Sequence, residues 1–225
     1  MSKGVKKTGR RRSGGLPKRT RNVRPEKTTI LIVGEGQETE PNYFDGLKRE
    51  DEVSDKFAVT VKKGHGISPE HVIREAIDHK KRAESRGEIF DVVWCVLDVE
   101  GPEKRDSLKK AVPLARQNHI TLCLSNPCFE VWLLAHFEKR ARAYNNCQMV
   151  IVQLNKHWMR VCNEDYQKND ENVYSRLAEH TQTAIVNAKW VREIHFKDRE
   201  NIAECNSATE VYKLIDYLTD YTADS

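Results

Sequence analysis

The order of apolar segments along the chain restricts its fold more than any other feature of the sequence. Short apolar runs rich in β-branched residues occur at 28–33, 57–61, 90–97 and 120–124. Segments with helical periodicity separate these runs and continue after the last one. This alternation is typical of an α/β domain, in which parallel strands form one sheet and helices cover both faces. We therefore expect a parallel sheet of about four strands flanked by helices.

The C-terminal part of the chain has a different pattern. From about residue 141 the strand signals fade, and 145–162, 172–192 and 207–219 are polar, amphipathic segments that favour helices. Neither an internal repeat nor a low-complexity segment occurs after the N-terminal region. The sequence thus predicts a single domain over 27–225, with a mostly helical extension from about residue 141.

Residues 1–26 form a basic arm that we expect to be disordered. Ten of the 38 Lys and Arg residues lie in the first 25 positions, which contain no acid, so the remaining chain has 28 basic and 34 acidic residues. The arm is interpreted either as a contact for nucleic-acid phosphates or as a solubilising tail. The cations considered for phosphate contacts are Arg10, Arg11, Arg12, Lys18 and Arg19.

The sequence lacks the signals of a membrane or secreted protein. It has no run of 18 apolar residues to cross a bilayer, and its basic N-terminus lacks the apolar core of a secretory signal. Its six cysteines include no Cys-x-x-Cys pair, and three lie in or beside apolar runs. We therefore expect a cytoplasmic protein with reduced, buried thiols and no cysteine-ligated zinc.

Acidic residues follow three of the predicted strands. Glu35 follows the first strand, Asp98 and Glu100 follow the third, and Glu130 comes shortly after the fourth. Because ligands bind at the carboxyl edge of parallel α/β sheets, we expect these carboxylates to gather there. Singly, each acid is more simply a solvated turn residue, but gathered carboxylates repel each other unless a cation binds. Hard Mg²⁺ prefers oxygen ligands, so the combination predicts a metal site suited to phosphodiester chemistry.

Other polar residues near this predicted edge have both a functional and a structural interpretation. Glu40 and Glu130 lie at helix starts, where the macrodipole favours acids, and either residue could support the metal site. Asn126 could bond the sheet edge or the site. Lys63 and His65 occupy a loop and could contact a phosphate, although a lone loop histidine is more often simply solvated.

Four segments of the chain resemble the RloB-like proteins of bacteria and archaea. The segments are LIVGEGQETEPNYFDGL, VVWCVLDVEGP, LSNPCFEVWLLAHF and NSATEVYKLID, in this order across roughly residues 27–220. That family resembles a branch of the Toprim fold of topoisomerases, primases and OLD-type nucleases. The resemblance implies a nuclease that uses Mg²⁺ or Mn²⁺ on RNA, with tRNA among the candidates, or on DNA. It also implies a role in phage defence or abortive infection beside an ATPase partner, and the oligomeric state stays open.

The resemblance also implies roles for individual acids. In the Toprim pattern a Glu follows the first strand and a D-x-D follows the third. Glu35 matches that Glu as metal ligand or general base, Asp98 matches the first Asp, and Glu100 stands in place of the second. Because of this departure, and because Val99 lies between the two acids, an alternative remains: the protein is a catalytically degenerate module that binds nucleic acid or a partner. A phosphotransferase is disfavoured, because neither a Walker A motif nor a G-x-G-x-x-G fingerprint occurs.

Overall fold

The computed structural model describes Met1 and residues 27–65, 68–196 and 202–219. The predicted basic arm lies outside the described residues. This applies to all five cations that the sequence suggested for phosphate contacts there, Arg10, Arg11, Arg12, Lys18 and Arg19.

A four-stranded, all-parallel sheet forms the centre of the fold. Its strands are β1 (Thr28–Gly34), β2 (Phe57–Lys62), β3 (Val92–Asp98) and β4 (Thr121–Ser125), in the order β2-β1-β3-β4. The register pairs Gly34 with Val96 and Asp98 with Ser125, so β1, β3 and β4 end at the same edge. The predicted α/β class and the predicted parallel sheet of about four strands are confirmed, and the arrangement is consistent with a Toprim-like fold.

Helices cover both faces of this sheet. Within the described ranges they are α1 (Thr39–Leu47), α2 (Asp51–Lys56), α3 (Pro69–Glu84), α4 (Gly101–Gln117), α5 (Glu130–Ala135), α6 (Cys147–Cys162), α7 (Val173–Leu177), α8 (Thr181–Phe196) and α9 (Val211–Thr219), with short 3₁₀ helices at Ala178–His180 and Ile202–Glu204. No helix in this part of the chain has the length and apolar character needed to cross a membrane.

The near-continuous apolar character of the strands follows from burial on both faces. Ile30 and Ile32 of β1 pack with α1, α5 and most of the C-terminal helices, whereas Leu31 and Val33 pack with α3 and α4. All four side chains are fully buried. Successive side chains of the strand thus point alternately into two separate cores on opposite faces of the sheet, as the period of two in a strand requires.

Helix α5 begins three residues after Pro127, although proline is favoured in the first turn of a helix. Before this helix, the backbone of Asn126 pairs with the C-terminal segment. The Asn126 N–H donates to the Ala208 carbonyl at 2.9 Å, and the Ser207 N–H donates to the Asn126 carbonyl at 2.7 Å. The Asn126–Pro127 peptide is cis. Because residue 126 is held in this pairing with the C-terminal segment, α5 begins only at Glu130.

Two further helices differ from the sequence prediction. The predicted helix 172–192 is divided into α7, a 3₁₀ segment and α8, and the two α-helices pack on different neighbours, α7 on α1 and α8 on α5 and α9. Helix α2 was not predicted, because only Val53 in this acidic segment is buried and no apolar period marks it.

Candidate functional site

A cleft of about 360 Å³ opens at the carboxyl edge of the sheet. Glu35 from the end of β1, Glu40 from α1, Asp98 from the end of β3 and Glu130 from α5 line it, together with Lys168. Glu35, Glu40 and Glu130 are each no more than 5% exposed. The structure therefore brings four of the five predicted site acids together in a place where water screens their repulsion poorly.

Glu35 joins the ends of two strands. Its N–H donates to the Val96 carbonyl at 2.9 Å, which extends the β1–β3 ladder by one residue. Its Oε2 accepts a hydrogen bond from the Asp98 N–H at 2.9 Å, and its Oε1 forms an ion pair with Lys104 of α4. The carboxylate is thus held in a fixed orientation at the centre of the cleft wall.

Asp98 carries the most unusual electrostatics of the cleft. Burial raises the pKa of its carboxyl well above the usual range, and the charges of Glu40, Glu35 and Glu130 add to this effect, whereas Lys104 opposes it. Its Oδ1 is buried and has no hydrogen-bond partner among the described residues. A buried carboxylate oxygen without a partner, beside three other carboxylates, is the kind of atom that a cation would satisfy.

Glu40 is held by the turn that follows β1. Its Oε1 accepts a hydrogen bond from the Gly36 N–H at 3.0 Å. Burial raises the pKa of Glu40, and Glu130 and Glu35 contribute, although backbone hydrogen bonds act in the opposite direction. A Cβ at position 36 would lie 2.5 Å from Glu40 Oε2, so glycine at this position leaves the space that the carboxylate occupies.

Glu130 is held from the side of the C-terminal helices. Its Oε1 lies 3.1 Å from Lys168 Nζ and accepts a longer hydrogen bond, 3.4 Å, from the Tyr166 hydroxyl. The Tyr166 hydroxyl also shares a hydrogen bond of 3.1 Å with Thr39 Oγ1 at the start of α1. The helical C-terminal part therefore completes the cleft by positioning a carboxylate and a cation.

The sequence did not indicate Lys104, which pairs with Glu35, or Lys168, which lines the cleft. Partial burial alone would lower the pKa of each lysine, but the adjacent carboxylate, Glu35 or Glu130, more than offsets this and the pKa is raised. Lys104 had a usable signal, because it lies in the first turn of the helix that starts directly after Glu100. Lys168 had none, since it lies in an irregular segment between α6 and α7.

Glu100 does not line the cleft. It is the N-cap residue of α4, and its Oε1 accepts a hydrogen bond of 3.0 Å from the Cys147 N–H at the start of α6. Strand β3 ends at Asp98, and the Glu100 side chain turns to the start of α6 instead of lining the cleft. The residue that occupies the second position of the D-x-D pattern therefore contacts the helical part of the protein.

Asn126, Lys63 and His65 also lie outside the cleft lining. The buried Asn126 amide donates to the Ala203 and Ile202 carbonyls at 2.9 and 3.3 Å, so it anchors the C-terminal segment. His65 pairs with Glu75 of α3.

The prediction of reduced thiols is wrong for Cys128 and Cys147, which form a disulfide. Their Cα atoms are 5.6 Å apart, within the usual range for this bond, although 19 positions separate them in the chain. Cys147 Sγ lies 3.1 Å from Glu130 Oε2. Spacing alone did not reveal the pair, because the fold of α5 and α6 brings the two residues together. Cys95 and Cys123 are free and buried, and Cys162 is free and half-buried.

The disulfide should contribute measurably to stability. It closes a loop across a separation of 19 residues, so we expect the Cys128→Ser/Cys147→Ser variant to lose about 3 kcal/mol of unfolding free energy in the chain-entropy picture. Urea denaturation under non-reducing conditions measures this loss, and peptide mass mapping identifies the linked pair. Cys162→Ser, at a half-buried free cysteine, is the control. Equal stabilities of the double variant and the oxidised wild type would contradict the expectation.

The match to a known family covers most of the chain. A family model described as RloB-like protein matches residues 30–218. The matched range contains all four carboxylates of the cleft and both lysines. A search of the curated proteins finds no match to the chain, and a search of the solved structures finds none either.

Proposed function

Because the chain belongs to the RloB-like protein family, we propose that its cleft is the active site of a metal-dependent nuclease that hydrolyses phosphodiester bonds in RNA or DNA. The observation that carries the proposal is the cluster of four carboxylates, in which one buried Asp98 oxygen has no hydrogen-bond partner in the part of the chain that the structure describes. An all-oxygen donor set of this kind suits Mg²⁺ or Mn²⁺. Glu35 and Asp98 would hold the ion, with Glu40 or Glu130 in support. When bound, the ion supplies Lewis-acid stabilisation of charge on the phosphate.

Side chains of the protein would supply the general base and the cations that contact the phosphate. Glu35 keeps its orientation through the Asp98 N–H, which suits it to act as a ligand or as a general base. Lys168 is half-exposed and lines the cleft, so its ammonium group can meet a phosphate oxygen of the substrate. Lys104 forms an ion pair with Glu35. When a metal ion takes the place of Lys104 beside Glu35, the lysine ammonium group becomes available to a phosphate oxygen of the substrate.

Binding of a nucleic acid extends beyond the cleft in this proposal. Lys63, the first turns of α4 and the basic N-terminal arm offer cations for the sugar–phosphate backbone. We extend the proposal to a role in phage defence or abortive infection, with an ATPase partner. This extension rests on the family alone.

A cleavage assay tests the proposed activity. Purified protein is incubated with plasmid, single-stranded DNA and total tRNA, with Mg²⁺ or Mn²⁺ and with EDTA. We expect metal-dependent cleavage of at least one substrate and loss of that cleavage in Glu35→Gln, which keeps the size of the side chain but removes its charge. Absence of cleavage by the wild type under all conditions, even with the ATPase partner present, would exclude a nuclease.

A second candidate function is a non-catalytic module that binds nucleic acid or a partner protein. Two observations favour it: Glu100 lies outside the cleft, and Lys104 and Lys168 already neutralise two of the four carboxylates. Calorimetric titration with Mg²⁺ separates the two candidates. Nucleic-acid binding without any Mg²⁺ binding would favour the module over the nuclease.

A further inference from the structure

Two histidines and one glutamate converge at the start of α3, outside the lining of the cleft. His65 comes from the loop after β2, and His71 and Glu75 lie one turn apart on α3. One ligand atom from each of the three side chains lies within 4.8 Å of the others. None of these residues has a role in the proposed nuclease chemistry.

Both imidazoles meet the same carboxylate. His65 Nδ1 contacts Glu75 Oε1, and His71 Nε2 lies 3.5 Å from this same oxygen. The backbone N–H of His65 also donates a long hydrogen bond, 3.4 Å, to Glu75 Oε2. Both histidine side chains are partly exposed, at 68% and 39%, whereas Glu75 is 18% exposed. The cluster is therefore fixed on its carboxylate side and open to solvent on its imidazole side.

We propose that His65, His71 and Glu75 form a second metal site that binds an imidazole-preferring divalent cation of the Zn²⁺ class. Two neutral imidazoles and one carboxylate are a common donor set for zinc, and three protein ligands leave a position for water or another ligand. The cleft offers oxygen donors and favours Mg²⁺, so the two sites differ in the cation that they select.

The backbone around the cluster holds its ligands in place. A Cβ at Gly64 would collide with the Gly34 carbonyl oxygen, so the loop that carries His65 packs directly on the end of β1. At the start of α3, Ser68 Oγ accepts a hydrogen bond of 3.3 Å from the His71 N–H. A cation bound here joins the loop to α3 directly beside the strand end that presents Glu35.

Calorimetric titration of the full chain with Zn²⁺ tests this site. The protein carries Asp98→Asn, is kept oxidised and contains excess Mg²⁺, so that neither the cleft nor the Cys128–Cys147 pair competes. We expect one equivalent of Zn²⁺ to bind. His65→Ala and His71→Ala should each weaken the affinity by at least about tenfold, since even outer-shell partners of metal ligands contribute that much.

His119→Asn is the matched control. It removes an exposed imidazole away from the cluster, and asparagine tolerates the left-handed backbone at this position, where φ is 54°. Its Zn²⁺ affinity should equal that of the parent protein, and circular dichroism should show that all variants are folded. Equal Zn²⁺ affinities of His71→Ala and His119→Asn, or no saturation near one equivalent, would overturn the proposal.

Discussion

Asp98→Asn is expected to abolish metal-dependent cleavage while it stabilises the metal-free protein. The asparagine keeps the size of the side chain but removes the negative charge that a cation would bind. Loss of even an outer-shell partner typically costs 10–100-fold in metal-site activity, so loss of this ligand should lower kcat/KM by at least about 100-fold. Initial rates over a Mg²⁺ or Mn²⁺ titration measure the loss and show whether added metal restores activity.

The stability gain follows from the electrostatics of the cleft. Burial, then Glu40, Glu35 and Glu130, disfavour the charged form of Asp98 and raise its pKa. At neutral pH this carboxyl is ionised in the unfolded chain, so folding without metal must either bury its charge or protonate it, and the substitution removes that cost. The free energy of unfolding should therefore rise by at least about 1 kcal/mol, which corresponds to less than one unit of pKa. The gain should vanish at a pH below the ordinary carboxyl range, where Asp98 is protonated in both folded and unfolded states.

Asp106→Asn provides the control for both measurements. Asp106 is an exposed acid on α4 that pairs with Lys109, and its replacement changes the net charge of the protein by the same amount. We expect cleavage and stability to stay at wild-type levels. If Asp98→Asn retains activity in the same assay, Asp98 is not a metal ligand. If it loses both activity and stability, a folding defect explains the loss.

The strands and the carboxyl edge were predictable because their signals are local. A fully buried run such as 28–33 identifies its strand, and the βαβ order then places Glu35 and Asp98 at a common edge. Glu40 and Glu130 reached the cleft as well, although each had a plain interpretation as a helix-start acid. The sequence alone therefore identifies the residues of the acidic cluster, without any side-chain geometry.

The remaining features depend on how distant segments pack. The direction of the Glu100 side chain is set by the start of α6, 47 positions later in the chain. Lys168 reaches the cleft only because α6 and the segment after it fold back over α5. The convergence of His65 on Glu75 likewise depends on two segments that are ten positions apart in the chain. None of these contacts leaves a periodic or motif-like signal in the sequence.

Mg²⁺ is expected to stabilise the protein more strongly as the pH rises. Burial and neighbouring carboxylates raise the pKa of Asp98 and of Glu40, so the folded state binds more protons than the unfolded chain above the ordinary carboxyl range. Without metal, the contribution of these groups to stability therefore falls as the pH rises through their folded pKa values. Mg²⁺ competes with those protons and compensates the lost contribution. At 100 times its Kd it should add about 2.7 kcal/mol when both groups are ionised.

Thermal or urea unfolding at several pH values, with Mg²⁺ or with NaCl of equal ionic strength, measures this dependence. The NaCl series is needed because salt also screens the Lys104–Glu35 and Lys168–Glu130 pairs. Specific binding requires that the Mg²⁺ effect exceed the NaCl effect, grow with pH and disappear in Asp98→Asn. Stabilisation that is the same at every pH and survives in Asp98→Asn would mean that Mg²⁺ acts on the surface charge, and the cleft would then not be a cation site.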